Sequence, residues 1–122
     1  MLKDRLMIND SKTEFILIGT WQQLAKVDID SLTVGDTEIK PSSVVKNLGT
    51  WFDQHLTMSH HIGKTCSSAF YHIHNIRRIS KYLNRSTIKT LIHALVTSRI
   101  DYCNSLLYGL PECEIRKLQR IQ

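Results

Sequence analysis

The stretch VKNLGTWFD, residues 45–53, runs straight into the polar QHLTMSHH and decides how this chain is read. Val45, Trp51 and Phe52 are the β-branched and aromatic residues that suit a strand. Gly49 lies among them. A glycine inside a strand weakens it, so it marks a bulge, a bend or the close approach of another backbone. Near residue 57 the pattern changes: strands and turns precede it, and helices follow.

Toward the N-terminus, EFILIG (residues 14–19) is a short apolar run closed by a glycine and reads as a buried strand. Residues 1–8 have the pattern of a helix end, closed by the turn-forming NDS of residues 9–11. TWQQLAK supplies one helical turn with Thr20 as its cap. SLTVGDTEIKP alternates on both sides of Gly35-Asp36, the chemistry of a two-residue type II′ hairpin. VVKNLGTWF, residues 44–52, reads as one further strand.

Toward the C-terminus, Ile62, Cys66, Ala69, Phe70, Ile73 and Ile76 recur every three or four residues on one arc of a helix beginning at Ser59. A second helix is expected after NRS with Ser86 as N-cap. Ile88, Leu91, Ile92, Leu95, Val96, Tyr102, Cys103 and Leu106 form its apolar face, and Gly109-Leu110-Pro111 stops it. A third starts at Glu112 with Ile115 and Leu118 inward, and its pattern reaches Gln122 without a stop signal, as in a truncated segment. The expected class is α+β: short antiparallel strands with a hairpin over residues 1–56, then a three-helix bundle over residues 57–122.

The 122 residues are 42% hydrophobic and 22% charged, an ordinary composition for a globular chain. No apolar run approaches the ~18 to 20 residues of a membrane span. The N-terminal MLKDRLMIND carries charges where a signal peptide needs an apolar stretch. The expectation is a soluble intracellular protein with no membrane partner; cytoplasm and nucleus are not distinguished. Three cysteines without a CxxC argue against a disulfide framework and against a four-thiolate zinc site. Cys66 and Cys103 fall on apolar faces and read as core residues. The net charge of +5, with pI near 9.3, suits a polyanionic partner.

Chemistry-bearing residues are sparse. Asp28 and Asp30 sit in a polar connection and read as solvated. His60, His61, His72 and His74 cluster in sequence near Cys66. They lack the i, i+4 pairing that sets two ligands on one helical face, and so read as surface or capping residues. No nucleophile signature, GxGxxG or Walker motif occurs. On the first long helix Lys64, Tyr71 and Arg78 lie within about 40° of one another, opposite the apolar arc. Two cations flanking a tyrosine suit phosphate contact and stacking on a sugar or base; an ordinary solvated face is the alternative. Arg99 falls in the middle of the second helix's apolar arc, so a buried ion pair is expected, with Asp53, Glu112 or Glu114 as partner.

Taken in order, DRLMINDSKTEFILIG, VVKNLGTWFDQHLTMSHHI, AFYHIHNIRRI, LVTSRIDYCNSLLYGLP and IRKLQRIQ resemble the C-terminal part of reverse transcriptases. The nearest group is the non-LTR (LINE-type) retrotransposon polymerases, which are RNA-directed DNA polymerases. The resemblance implies that NDSKTEF is the palm's fourth motif, with Lys12 as a proton donor to departing pyrophosphate. It implies that VKNLGTWFD is the primer-grip hairpin, with Leu48 and Gly49 as the grip pair. The helices would form a thumb packed along an RNA/DNA template–primer duplex. The family's metal-holding aspartates belong to earlier motifs, one an aromatic-x-Asp-Asp turn, and this chain has no adjacent Asp-Asp. The resemblance therefore implies no cofactor in this chain, Mg²⁺ in a complete enzyme, and reliance on the rest of the palm and the fingers. The expectation is a fragment that positions nucleic acid without catalysing nucleotidyl transfer. A stand-alone basic nucleic-acid-binding module and an inert relic of a mobile element are the alternatives. An alanine at Gly49 is expected to hurt primer positioning and do little to folding.

Overall fold

The computed structural model describes Met7, residues 9–102 and residues 104–122. Apart from Met7, the helix end expected over residues 1–8 lies outside the described residues, as does Cys103. The chain is α+β, with two small antiparallel strand pairs and several helices. It divides into two compact units, one running to Thr57 and the other from Met58 to Gln122.

In the first unit a 3-10 turn, Asp10–Lys12, follows Asn9. The expected strand over residues 14–19 is not formed. A strand needs a paired ladder, and among the described residues only the ends of this run are held. Ser42 N–H donates to Phe15 O at 2.9 Å, and Gly19 N–H donates to Gln54 O at 3.0 Å. Helix α1 (Trp21–Leu24) is closed by a capping box: Gln23 N–H donates to Thr20 Oγ1 and Thr20 N–H to Gln23 Oε1.

Strands β1 (Leu32–Val34) and β2 (Thr37–Ile39) pair through a two-residue turn, with Val34 opposite Thr37. Gly35 has φ +59° and Asp36 does not share the left-handed region, which is the II′ pattern. A methyl group on Gly35 would also collide with the Asp10 carboxylate.

The run of residues 44–52 folds as two strands, β3 (Val44–Asn47) and β4 (Thr50–Asp53), with Asn47 opposite Thr50. This corrects the single-strand reading. Leu48 and Gly49 form the turn, with φ +48° and +83°. Positive φ at both central residues defines a type I′ turn, whose twist matches the flanking strands. Gly49 is therefore a corner. Alanine there meets left-handed strain of ~1–2 kcal/mol, so the expectation of a neutral effect on folding is also corrected.

In the second unit α2 (Ser59–Ile79) presents Ile62, Ala69 and Ile76 inward at seven-residue spacing, all buried. Val96 and Leu118 complete that core, and Cys66 Sγ–H reaches Lys117 O at 3.6 Å. Met58 precedes α2 with φ +60° and is almost fully buried. Its ~1–2 kcal/mol of left-handed strain is offset by the ~1.5–3 kcal/mol that burying a methionine contributes.

Helix α3 (Arg85–Ile92) is capped by Asn84, whose Oδ1 accepts from Thr87 N–H at 2.8 Å. The cap falls two residues before the expected Ser86, because Leu83 enters in extended conformation and the helix starts as soon as a side chain can cap it. A π-helical stretch, His93–Thr97, then leads into α4 (Ser98–Asp101). The helix stops at the extended Tyr102, well before Gly109. Helix α5 (Glu112–Gln119) follows, with Glu112 and Glu114 in its first turn, where the dipole favours acids.

The π stretch corrects the expectation for Arg99. A wider turn advances the register by about one residue relative to a straight 3.6-residue wheel. Val96 is therefore buried and Ile100 half-buried, while Arg99 turns out to solvent. Its proposed partners are engaged elsewhere. Glu112 pairs with Arg116 and Glu114 with Lys117, each at 2.8 Å.

Candidate nucleic-acid interface

Net charge is unevenly shared between the two units. The first carries six Lys/Arg against eight Asp/Glu, the second ten against three. From residue 54 to residue 100 there is no carboxylate at all, while Lys64, Arg77, Arg78, Lys81, Arg85, Lys89 and Arg99 all fall there. This run is a plain sequence signal that residue-by-residue motif reading passes over. Its electrostatic consequence is a helical unit of strongly positive net charge, with its carboxylates confined to Asp101, Glu112 and Glu114.

Lys64, Tyr71 and Arg78 are all exposed on α2, Tyr71 to 65%. Seven-residue steps along an α-helix separate them by about 10.5 Å each and drift by only about 20°, so they form one stripe. The Tyr71 ring meets His72 edge-on at 5.4 Å between centroids. At the far end of α2, Arg77 and Arg78 occupy the last turn, where cations favour the helix dipole. The chain then makes one 3-10 turn, Ser80–Tyr82, held by Ser80 Oγ–H donating to Arg77 O at 2.8 Å. This turn swings Lys81 and Tyr82 back beside Arg78. Sequence reading singled out neither residue, because a helical wheel stops being informative where the helix ends.

In the first unit, the β3–β4 turn carries Leu48, 83% exposed, and Gly49. A leucine held at positive φ carries backbone strain of ~1–2 kcal/mol that most turns of this type avoid with Asn or Gly. Behind it Lys46 faces Trp51 across the strand pair, its ammonium 5.5 Å from the ring centroid. Lys12 is exposed in the 3-10 turn. No hydrogen bond or ion pair among the described residues joins it to the β3–β4 turn. Asp53 anchors the other end of the hairpin: His55 N–H and Thr57 N–H donate to Oδ1 at 3.0 and 2.9 Å, and Thr57 Oγ1–H to Oδ2 at 2.7 Å.

His61 is 5% exposed, against the expectation of a surface or capping residue, and burial lowers its pKa from the usual 6.5. Burial likewise pushes the Cys66 thiol up. Among the described residues no three His, Cys, Asp or Glu side chains come close enough to hold a metal ion. Asp28 and Asp30 are both exposed. No two-metal centre is therefore assembled among the described residues. Among the described residues no helix is long and apolar enough to cross a membrane.

Comparison with known proteins returns no matching family model, no matching curated protein and no matching solved structure.

Proposed function

We propose that this chain works as the primer-grip and thumb portion of a non-LTR retrotransposon reverse transcriptase, holding template–primer duplex without performing nucleotidyl transfer. The observation that carries the reading is the carboxylate-free basic run of residues 54–100, with Lys64, Tyr71 and Arg78 exposed along one face of α2. Phosphate contacts of this kind position a duplex and carry no sequence information. The exposed Leu48-Gly49 corner, with Leu48 held at positive φ, supports a contact with the primer strand. The ordered resemblance of five segments supports the family. In this reading the two-metal chemistry belongs to palm aspartates that this chain does not contain.

The reading makes the chain a positioning device, so two measurements test it together. Purified protein should bind an RNA–DNA hybrid with a recessed primer end more tightly than a blunt hybrid, and should extend no primer. Equal affinity for the two hybrids removes the grip; templated extension overturns the division of labour. The same basic face also suits a stand-alone nucleic-acid-binding module. In that case the Leu48-Gly49 corner has no role, and substitutions there leave the affinities for both hybrids unchanged.

A further inference from the structure

The end of α2 holds a groove of about 610 Å³ lined by Asn75, Arg78, Ile79, Lys81 and Tyr82. That volume lies within the ~300–1,000 Å³ of small-ligand sites. Its chemistry is mixed in a specific way. Arg78 and Lys81 bring two positive charges, Asn75 an amide, and Ile79 an apolar wall that is 46% exposed. Tyr82 brings a ring that is 76% exposed, with the Lys81 ammonium 4.8 Å from its centroid. Among the described residues, the side chains of Asn75 and Arg78 make no hydrogen bond or ion pair.

We propose that this groove takes one unpaired nucleotide of a single-stranded overhang, with its base on the Tyr82 ring and its phosphate between Arg78 and Lys81. The proposal deepens the nucleic-acid reading above and rests on it. Three observations select this occupant. The two cations suit an anion, and no Asp or Glu of the sequence run 54–100 lies beside them to compete for it. The Lys81 ammonium occupies one face of the Tyr82 ring, and with Tyr82 76% exposed the opposite face is available to a flat partner. Base faces are open only where the strand is unpaired, because a duplex stacks each base between its neighbours. The Asn75 amide can both donate and accept, which suits a base edge or a sugar hydroxyl. An acidic peptide would use the two cations and leave the ring unused.

The test uses the full chain and fluorescence anisotropy with two probes: a short labelled oligodeoxythymidine and a blunt RNA–DNA hybrid. Tyr82→Ala should weaken oligodeoxythymidine binding at least about fivefold, as loss of one base–aromatic stack does, and change hybrid affinity less than about twofold. Tyr82→Phe should retain single-strand binding. Lys64→Ala, remote from the groove along α2, should do the reverse and weaken the hybrid alone. Tyr82→Ala with unchanged single-strand affinity overturns the groove while leaving the duplex reading intact. Equal losses on both probes also overturn it, as does a poly-glutamate peptide that competes in a Tyr82-dependent way. If neither probe binds, both readings fall. A thermal melt of each variant checks folding, which an exposed side chain at this position should leave unchanged.

Discussion

Replacing Leu48 with asparagine should make the protein more stable and worse at holding a primer end. Leu48 sits at φ +48° in the first central position of a type I′ turn. An L-residue with a full side chain costs ~1–2 kcal/mol in that region, and asparagine is one of the few that tolerates it. Asn-Gly is also the favoured pair for this turn. The substitution also removes what little apolar burial the leucine has. Leu48 is 83% exposed, so only a small part of the ~1.5–3 kcal/mol available to a buried leucine is at stake, about 0.5 kcal/mol or less. The net is a stabilisation of about 0.5–1 kcal/mol, or a rise in melting temperature of about 2–8 °C for a small unit. Differential scanning calorimetry on the intact chain reads it directly. The same variant should reduce the preference for a recessed over a blunt hybrid end, leaving only the part that the overhang itself contributes, a stability gain coupled to a functional loss. A fall in melting temperature would refute the reasoning, because it would mean that Leu48 packs against something worth more than its strain. Gly49→Ala should move the other way, destabilising by ~1–2 kcal/mol at φ +83°.

Other expectations follow from the same geometry. Asp53→Ala removes the acceptor of three hydrogen bonds from His55 and Thr57. It should cost about 1.5–3 kcal/mol and speed hydrogen exchange at those two amides, with Asp53→Asn milder. His61 is buried in its neutral form with its pKa below the usual 6.5. The unfolded chain therefore takes up a proton near pH 6.5 that the folded chain refuses until lower pH. Stability should be level above that value and fall as pH drops through it, and denaturant titrations of His61→Leu should show a shallower fall. Of the two described cysteines, the exposed Cys113 should alkylate well before Cys66, whose thiol burial holds in its protonated form. Peptide mapping after brief iodoacetamide treatment distinguishes them.

What the sequence made legible depended on whether the deciding physics was local. The Thr20 cap and the Gly35-Asp36 turn rest on contacts within four residues, and both read directly. The apolar arc of α2 read correctly at Ile62, Ala69 and Ile76, because burial there follows one uninterrupted period. The same reasoning failed on the next helix. A wheel assumes 3.6 residues per turn, and the π stretch at His93–Thr97 moved Arg99 from the core to the surface. Residues 14–19 carry strand composition, but a strand exists only through a partner, and composition does not report one. At Val44–Asp53 the residue pattern alone read as one strand, whereas the chain forms an antiparallel pair. A glycine in an apolar run marks either a bulge within a strand or a corner between two, and only the pairing decides. For the candidate interface, the α2 stripe was visible as a periodicity. Lys81 and Tyr82 were hidden beyond the helix end, and the missing carboxylates were visible only to a count over many residues.

The central claim is that the basic face of the helical unit binds duplex through its phosphates. The most direct test is the dependence of RNA–DNA hybrid affinity on salt concentration. The intact chain should show a linear fall of log K with log[salt], with a slope near −3 if about three phosphates are neutralised. Lys64→Ala and Arg78→Ala should each reduce the magnitude of that slope by about 1. A slope near zero, or slopes unchanged by both substitutions, would contradict the account.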